Sequence, residues 1–305
     1  EESCRKTSAK CVCKYEEHTS GCLRGDTQDE EPGVHVHFTA ARIAIHEGKL
    51  FEVLTQLKKI SKINPIIFTD ETTVYTALDY AAYHGKIEIV KAISSNLLDI
   101  NPHFKYSPIK YQTILDNVNN TSGFTPLHHA AGKGHFNIVQ YFTNCLLDKN
   151  PTGDSGKNVM YWAAEKGQLE IISHYLDILP DGQKNPKVNT GLPVKYGRTP
   201  LHASAENGNL DIMQAINVYL FDINPADDLG ITPLHLAAAF GHLEMVQYLV
   251  RNLEDINPSA KESLSGLSYV TPFHLATIRN NSNVVEYYLK ILPDDNKNPG
   301  LNSDN

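Results

Sequence analysis

Apolar residues along this chain come in paired short runs, and the clearest pair sets the reading for the rest. Thr232-Pro233 opens Leu234-His235-Leu236-Ala237-Ala238-Ala239-Phe240, an apolar run that predicts a short helix. Gly241 turns the chain into Leu243, Met245, Val246, Tyr248 and Leu249, whose spacing predicts a second helix that stops before Asn257-Pro258. Seven copies of this pattern can be aligned, with helix starts at Thr39, Thr76, Thr125, Asn158, Thr199, Thr232 and Thr271. Their turns fall at Gly48, Gly85, Gly134, Gly167, Gly208, Gly241 and Asn280, and each copy closes on Asn-Pro, first at 64–65 and last at 298–299. Turn and asparagine are 16 residues apart in five copies and 18 in the fourth and seventh, the two that carry Ile-Leu-Pro-Asp.

Two antiparallel helices followed by a hairpin-like loop, repeated in this way, resemble the ankyrin repeat. The resemblance implies an all-α, ankyrin-type helical-repeat solenoid: a right-handed array in which each helix pair buries its apolar faces against its neighbours. Residues 1–33 lie outside the pattern, as a Cys-containing tail or the remnant of a preceding module. Residues 34–305 read as the repeat domain, with repeats at roughly 34–70, 71–119, 120–153, 154–193, 194–226, 227–265 and 266–301. Polar ends suit a monomer, with copy one as the amino-terminal cap and Lys290 to Lys297 as a polar carboxyl finish.

The repeated residues have local reasons. Threonine caps the first helix through its hydroxyl, and proline at the first helical position lacks an N–H that would otherwise go unsatisfied. Ala81-Ala82, Ala130-Ala131, Ala163-Ala164 and Ala237-Ala238 let neighbouring helices approach closely. His128, His202, His235 and His274 recur once per copy, about a repeat's width apart, too far for one tetrahedral ion with N–metal distances near ~2 Å. They are expected to tie the helix start to hairpin backbone. Ankyrin repeats generally carry Gly-Ala before the hairpin, whereas Leu97-Leu98, Leu146-Leu147, Leu220-Phe221 and Leu253-Glu254 stand there in this chain, so its second helices should end differently. Asn101, Asn150, Asn224 and Asn257 also match a pattern on which an asparaginyl hydroxylase acts in intracellular ankyrin proteins; the alternative is that these asparagines shape the loop through side-chain hydrogen bonds. An insertion at 104–115 falls on the hairpin side, where added length is tolerated. Trp162 occupies the place of Leu236 and is expected to pack between repeats, with exposure of its edge on a ligand surface as the alternative.

Composition narrows the partners. A formal net charge of −8 disfavours a nucleic-acid backbone as the main partner, and no apolar run approaches the ~20 residues that would insert this segment into a membrane. Cys145 alone falls in the repeats; Cys4, Cys11, Cys13 and Cys22 leave a free tail, two disulfides or, with His18, a zinc site open. An intracellular location is expected, cytoplasmic or at the cytoplasmic side of a membrane. Secretion is the alternative, with sequons beginning at Asn119, Asn120 and Asn280.

No nucleotide loop, nucleophile elbow, zinc-protease helix or kinase signature is present, and neither enzyme activity nor a cofactor is expected. Ankyrin-like stacks use a concave face built from hairpin tips and first helices. In the aligned frame the two residues before each turn face that groove, which gives His46, Glu47, Tyr83, His84, Lys133, Glu165, Lys166, Glu206, Asn207, Phe240, Ile278 and Arg279 as partner-binding candidates. Tyr83, Phe240 and Arg279 are the expected anchors. The mixture suits a protein or peptide in the groove, as a scaffold or recruitment module; the alternative is an intramolecular regulatory or spacer domain of a larger enzyme, channel or toxin-like protein.

Overall fold

A computed structural model describes residues 34–60, 66–69, 74–100, 124–146, 148–153, 156–188, 197–262 and 268–293. The readings made for the four cysteines and His18 of the tail, the 104–115 insertion, Asn101, and the sequons at 119 and 120 lie outside these residues. The chain divides into two compact units, Glu1–Ser122 and Gly123–Asn305.

In the first unit, helices α1 (Val34–Glu47) and α2 (Leu50–Ile60) pack as an antiparallel pair, followed by strands β1 (Ile66–Thr69) and β2 (Val74–Thr76). Helices α3 (Ala77–Tyr83) and α4 (Ile87–Ile100) follow, and α1 packs on α3. The expected helix start at Thr39 is wrong: α1 begins at Val34, and Thr39 is an exposed mid-helix residue. Two missing features explain this. Thr39 is followed by Ala40 rather than by a proline that would push it out of the helical region, and Arg42, three residues on, carries only donors and so cannot accept from the Thr39 N–H as a capping partner would.

The second unit holds α5 (Pro126–Gly132), α6 (Phe136–Cys145), α7 (Val159–Glu165), α8 (Leu169–Ile178), α9 (Pro200–Asn207), α10 (Leu210–Asn217), α11 (Pro233–Phe240), α12 (Leu243–Asn252), α13 (Pro272–Ile278) and α14 (Ser282–Ile291). Strands β3 (Ala260–Glu262) and β4 (Ser268–Val270) form an antiparallel hairpin between α12 and α13. The first helices pack in sequence order, α5 on α7, α7 on α9, α9 on α11 and α11 on α13. Ala130, Ala131, Ala163, Ala164, Ala203, Ala205, Ala237 and Ala238 are fully buried in this row, so its spacing depends on methyl-sized contacts. The architecture is an all-α, ankyrin-like solenoid in which helices carry the core and short hairpins join the pairs.

Several of the orphan N–H groups at the first-helix starts find partners in the preceding loop or in the cap side chain. Proline supplies none at N1 of α5, α9, α11 and α13. The N2 N–H is taken by the asparagine of the preceding Asn-Pro: Met160 donates to Asn150 Oδ1 at 2.9 Å, Leu201 to Asn185 at 3.3 Å, Leu234 to Asn224 at 2.9 Å and Phe273 to Asn257 at 3.2 Å. The cap side chain accepts from N3, as Asn158 does from Tyr161 at 2.8 Å. In turn Asp148, Asp222 and Asp255 hold the N–H of Asn150, Asn224 and Asn257 at 2.9–3.0 Å, which accounts for the aspartate two residues before each asparagine. Asn150, Asn224 and Asn257 thus connect one repeat's exit to the next repeat's start.

The other ends of α5, α7, α9 and α11 are closed by the following repeat. Gln168 donates to the Gly132 carbonyl at 3.3 Å, Asn209 to Ala164 at 2.9 Å, His242 to Glu206 at 3.0 Å and Asn281 to Ala238 at 2.8 Å. Each donor directly follows a left-handed turn residue, and Asn280 adopts that conformation (φ 58°) where the other copies have glycine. Of the leucines found in place of Gly-Ala, Leu146 and Leu253 end their helices in extended conformation, as do the buried Leu179 and Leu292 at the same place of the fourth and seventh copies; Leu97 and Leu98 instead lie within α4, and α10 ends earlier, with Val218 as its C-cap.

Candidate functional site

The first-helix starts show what the repeated histidines do. His128 Nε2 lies 3.1 Å from the Lys157 carbonyl, His202 Nε2 3.1 Å from that of Ile231, and His235 Nε2 3.0 Å from that of Val270. A carbonyl only accepts, so Nε2 carries the proton and Nδ1 is the acceptor for the backbone N–H of Thr125, Thr199 and Thr232, at 3.1–3.3 Å. Burial holds these rings neutral, lowering His128 and His235 to about 4 and His202 to about 3. Each histidine is a two-ended clamp between its own helix cap and the next repeat. In the first unit Asp79 stands in the same place, its Oδ2 accepting from Thr76 N–H at 3.1 Å and Thr76 Oγ1 at 2.7 Å. Among the described residues no group of three or more His, Cys, Asp or Glu is arranged to hold a metal ion. No helix among them is long and apolar enough to cross a membrane.

The stripe of candidate partner-binding residues divides by unit. In the first, His46 and Glu47 are exposed at the end of α1, and the His46 ring meets that of His84 edge-on at 4.8 Å. Tyr83 is half-buried, its ring 5.6 Å from that of Tyr75, eight positions earlier.

In the second unit the stripe follows the carboxyl ends of α5, α7, α9, α11 and α13. Lys133, Lys166, Asn207, Phe240, Ile278 and Arg279 are exposed there, with Phe240 at 44% and Ile278 at 50%. Lys133, Lys166 and Arg279 occupy helix C-caps, where a cation meets the negative end of the helix dipole. The two acids are turned inward. Glu165 is bonded to Lys157 at 2.5 Å, with Lys166 at 3.7 Å. Glu206 is bonded at 2.8 Å to Arg198, which is fully buried and also reaches Asp227 at 3.4 Å. Lys157 and Arg198 each precede a helix cap, so the pairs Lys157–Glu165 and Arg198–Glu206 share one register with Tyr75–Tyr83. Burial raises the Asp227 carboxyl, opposed by the N–H groups of Ile231 and Leu229 and by Arg198.

Trp162 is half-buried, unlike Leu236 and Ala203 at the same position of later copies. The Phe124 ring lies tilted against it at 4.4 Å, and the ammonium groups of Lys166 and Lys157 lie 4.3 and 5.0 Å from its ring centre. Gly132 makes room for it on α5, since a Cβ there would collide with the indole Nε1. The stripe drawn from the sequence did not include Trp162; the one signal available was an oversized residue beside a glycine one copy earlier.

A row of short, doubly clamped first helices whose carboxyl ends carry variable side chains defines a helical-repeat binding module. Ankyrin repeats match residues 107–177 and 177–262, and the chain belongs to the ankyrin-repeat family. It is 25% identical over 181 residues to a protein described as ankyrin repeat protein nuc-2 from Neurospora crassa. The match covers 53% of this chain and 16% of that protein, so the chain spans well under a fifth of the relative's length.

Proposed function

We propose that this chain is a seven-repeat interaction scaffold that holds a polypeptide partner against the carboxyl ends of its first helices. The observation that carries the reading is the contrast between fixed and variable positions in the second unit. Threonine or asparagine caps, clamp histidines and loop asparagines are committed to hydrogen bonds, while Lys133, Lys166, Asn207, Phe240 and Arg279 differ from copy to copy at exposed ends of packed helices. Aromatic and arginine side chains contribute heavily where they are buried by a partner, which makes Phe240 and Arg279 anchors; exposed ion pairs such as Glu47–Lys49 contribute little. His46, Glu47, Tyr83 and His84 form the corresponding set of the first unit.

The test is cross-linking mass spectrometry on the full chain with its captured partner, together with Phe240→Ala and Arg279→Ala variants. Cross-links from the first-helix ends and a loss of ~1–3 kcal/mol in binding with an unchanged melting temperature are expected. Cross-links confined to the even-numbered helices, with both variants binding normally, would overturn the reading.

A second reading is favoured by one comparison: the matched relative is much longer than this chain. The repeats would then regulate or space another domain of the same polypeptide. Co-expression of this chain with the remainder of its full-length protein tests this, and failure of the two to associate while an outside partner binds would exclude it.

A further inference from the structure

Asn207-Gly208 is the one Asn-Gly pair of the chain, and it stands at the turn between α9 and α10. In such a pair no side chain shields the glycine nitrogen, which can attack the carboxamide before it. The Gly208 nitrogen gives its proton to hydroxide and bonds to Asn207 Cγ; the Cγ–Nδ2 bond breaks, and ammonia leaves with a proton taken from water. Water then opens the five-membered imide. Cleavage at Cγ leaves aspartate, and cleavage at the main-chain carbonyl leaves isoaspartate, whose backbone runs through the former side chain. Asparagine and water become a carboxylate and ammonium, and water is the only co-reactant.

Both reacting groups are engaged elsewhere in the folded chain. The Gly208 N–H donates to the Ser204 carbonyl, and Asn207 Nδ2 donates to the Ala203 carbonyl at 3.0 Å, which draws the carboxamide back along α9. Asn207 is helical and Gly208 is left-handed (φ 72°), a C-cap in which the glycine N–H points into the helix. Neighbouring repeats hold this turn shut. His242 Nε2 donates to the Glu206 carbonyl at 3.0 Å, and Asn209, tied to the Ala164 carbonyl at 2.9 Å, donates its own N–H to Ser204. Asn207 is exposed, so water reaches it and the conformation is what blocks the reaction.

We infer that Asn207 is a deamidation site gated by opening of the α9–α10 turn, so that conversion accumulates with the time the turn spends open. This site does not depend on what the stripe binds. Its product is a permanent mark: a carboxylate appears beside Glu206 at the negative end of the α9 dipole, and isoaspartate inserts an extra main-chain carbon into the turn. Either change opposes closing, so one opening favours the next.

The test incubates the full chain at pH 8, native and in guanidinium chloride, and follows each asparagine by peptic peptide mapping with isoaspartyl methyltransferase labelling. In denaturant Asn207 should convert ahead of every other asparagine. In the native chain it should convert at least tenfold more slowly, because only the open fraction reacts. His242→Ala and Asn209→Ala should each speed the native reaction about fivefold, the factor that ~1 kcal/mol on the opening equilibrium represents, and leave the denatured rate unchanged. Asn281→Ala removes the corresponding bonds from the α11–α12 turn and should speed it less than either. Circular dichroism melting confirms that each variant is folded, and Asn209→Ala carries the comparison if His242→Ala is not. A native rate within tenfold of the denatured one, another asparagine converting first in denaturant, or no acceleration in the folded turn variants would overturn the inference. Equal acceleration by Asn281→Ala would also overturn it, by assigning the reaction to global unfolding.

Discussion

His202 Nε2 donates to the carbonyl oxygen of Ile231 at 3.1 Å, a bond that spans 29 residues and joins the start of one helix to the residue before the next helix's cap. Because the same ring accepts from Thr199 N–H at 3.1 Å, removing it strands that buried N–H and takes one of two donors from the Ile231 carbonyl, which keeps the Asp227 N–H at 2.8 Å. His202→Ala is therefore expected to cost about 2–4 kcal/mol in urea unfolding followed by Trp162 fluorescence. His202→Gln should recover part of this, since glutamine at the third helical position can accept from the cap N–H but does not reproduce the ring's reach. Equal losses in the two variants would show that the clamp is not two-ended.

The same clamps predict acid sensitivity. Folded pKa values of about 4, 3 and 4 for His128, His202 and His235 lie below the ordinary 6.5, so between those limits the unfolded chain holds protons that the folded chain does not. Stability is thus complete above about pH 6.5 and falls as pH drops, by at most about 1.4 kcal/mol per pH unit for each histidine. Asp227, with its carboxyl raised by burial, acts in the opposite sense within the carboxylate range. Urea midpoints between pH 7.5 and 5.5, followed through Trp162 in the second unit, read the histidine contribution against the opposing trend of Asp79 in the first. His202→Gln should flatten the slope, and a slope unchanged by that variant would refute the assignment.

Asp79 predicts the reverse trend for the first unit. Burial raises its carboxyl to about 7 against hydrogen bonds from Thr76, and its Oδ1 is buried without a partner. A raised folded pKa stabilises below the unfolded value near 3.8, and that contribution is lost as pH rises through about 7. Hydrogen-exchange protection of α3, corrected for intrinsic rate, should decrease from pH 6 to 8. Asp79→Asn should remove this dependence, because its amide oxygen still accepts the Thr76 N–H and carries no charge. Persistence of the decrease in the variant would place its origin elsewhere.

How much of this was legible follows from how local each signal is. Thr199-Pro200-Leu201-His202 could be read because the cap, the proline and the histidine act within four residues of one another. The asparagine of each Asn-Pro was recognisable as a loop former, but its actual partner lies 10 or 16 residues on, and only folding brings them together. The turn-following donors Gln168, Asn209, His242 and Asn281 were missed for a different reason: they share a hydrogen-bond donor rather than a residue type, and their acceptors belong to the preceding repeat, 36 to 45 residues earlier. On the stripe, positions could be read and pairing could not, so Glu165 and Glu206 counted as surface charge although Lys157 and Arg198 hold them.

The turn-following donors can be tested one at a time. Asn209→Ala leaves the Ala164 carbonyl at the end of α7 without its cross-repeat donor, and a loss of about 1 kcal/mol is expected from urea unfolding. Gly208→Ala should cost more, since φ is 72° there and the added Cβ would stand 2.6 Å from the His242 ring. A larger effect from Asn209→Ala than from Gly208→Ala would reverse this order and place the greater part of the turn's stability in the ladder.

Not every buried polar group in the stack stabilises it. Tyr175 and Tyr288 are fully buried in α8 and α14, yet neither hydroxyl has a hydrogen-bond partner. Burial pushes both phenols well above their ordinary pKa, with nearby Asp148 acting in the same direction on Tyr175 and Tyr287 and Asp255 on Tyr288. The rings fill core volume; the oxygens have given up water and gained no partner, a cost of about 1–3 kcal/mol each. Phenylalanine keeps the ring and deletes the oxygen, so Tyr175→Phe and Tyr288→Phe are each expected to raise stability by about 1 kcal/mol in urea unfolding. The two sites lie on helices that are not neighbours, and the gains should add in the double variant. Destabilisation in both single variants would mean that an ordered water or a relaxed geometry satisfies the hydroxyls.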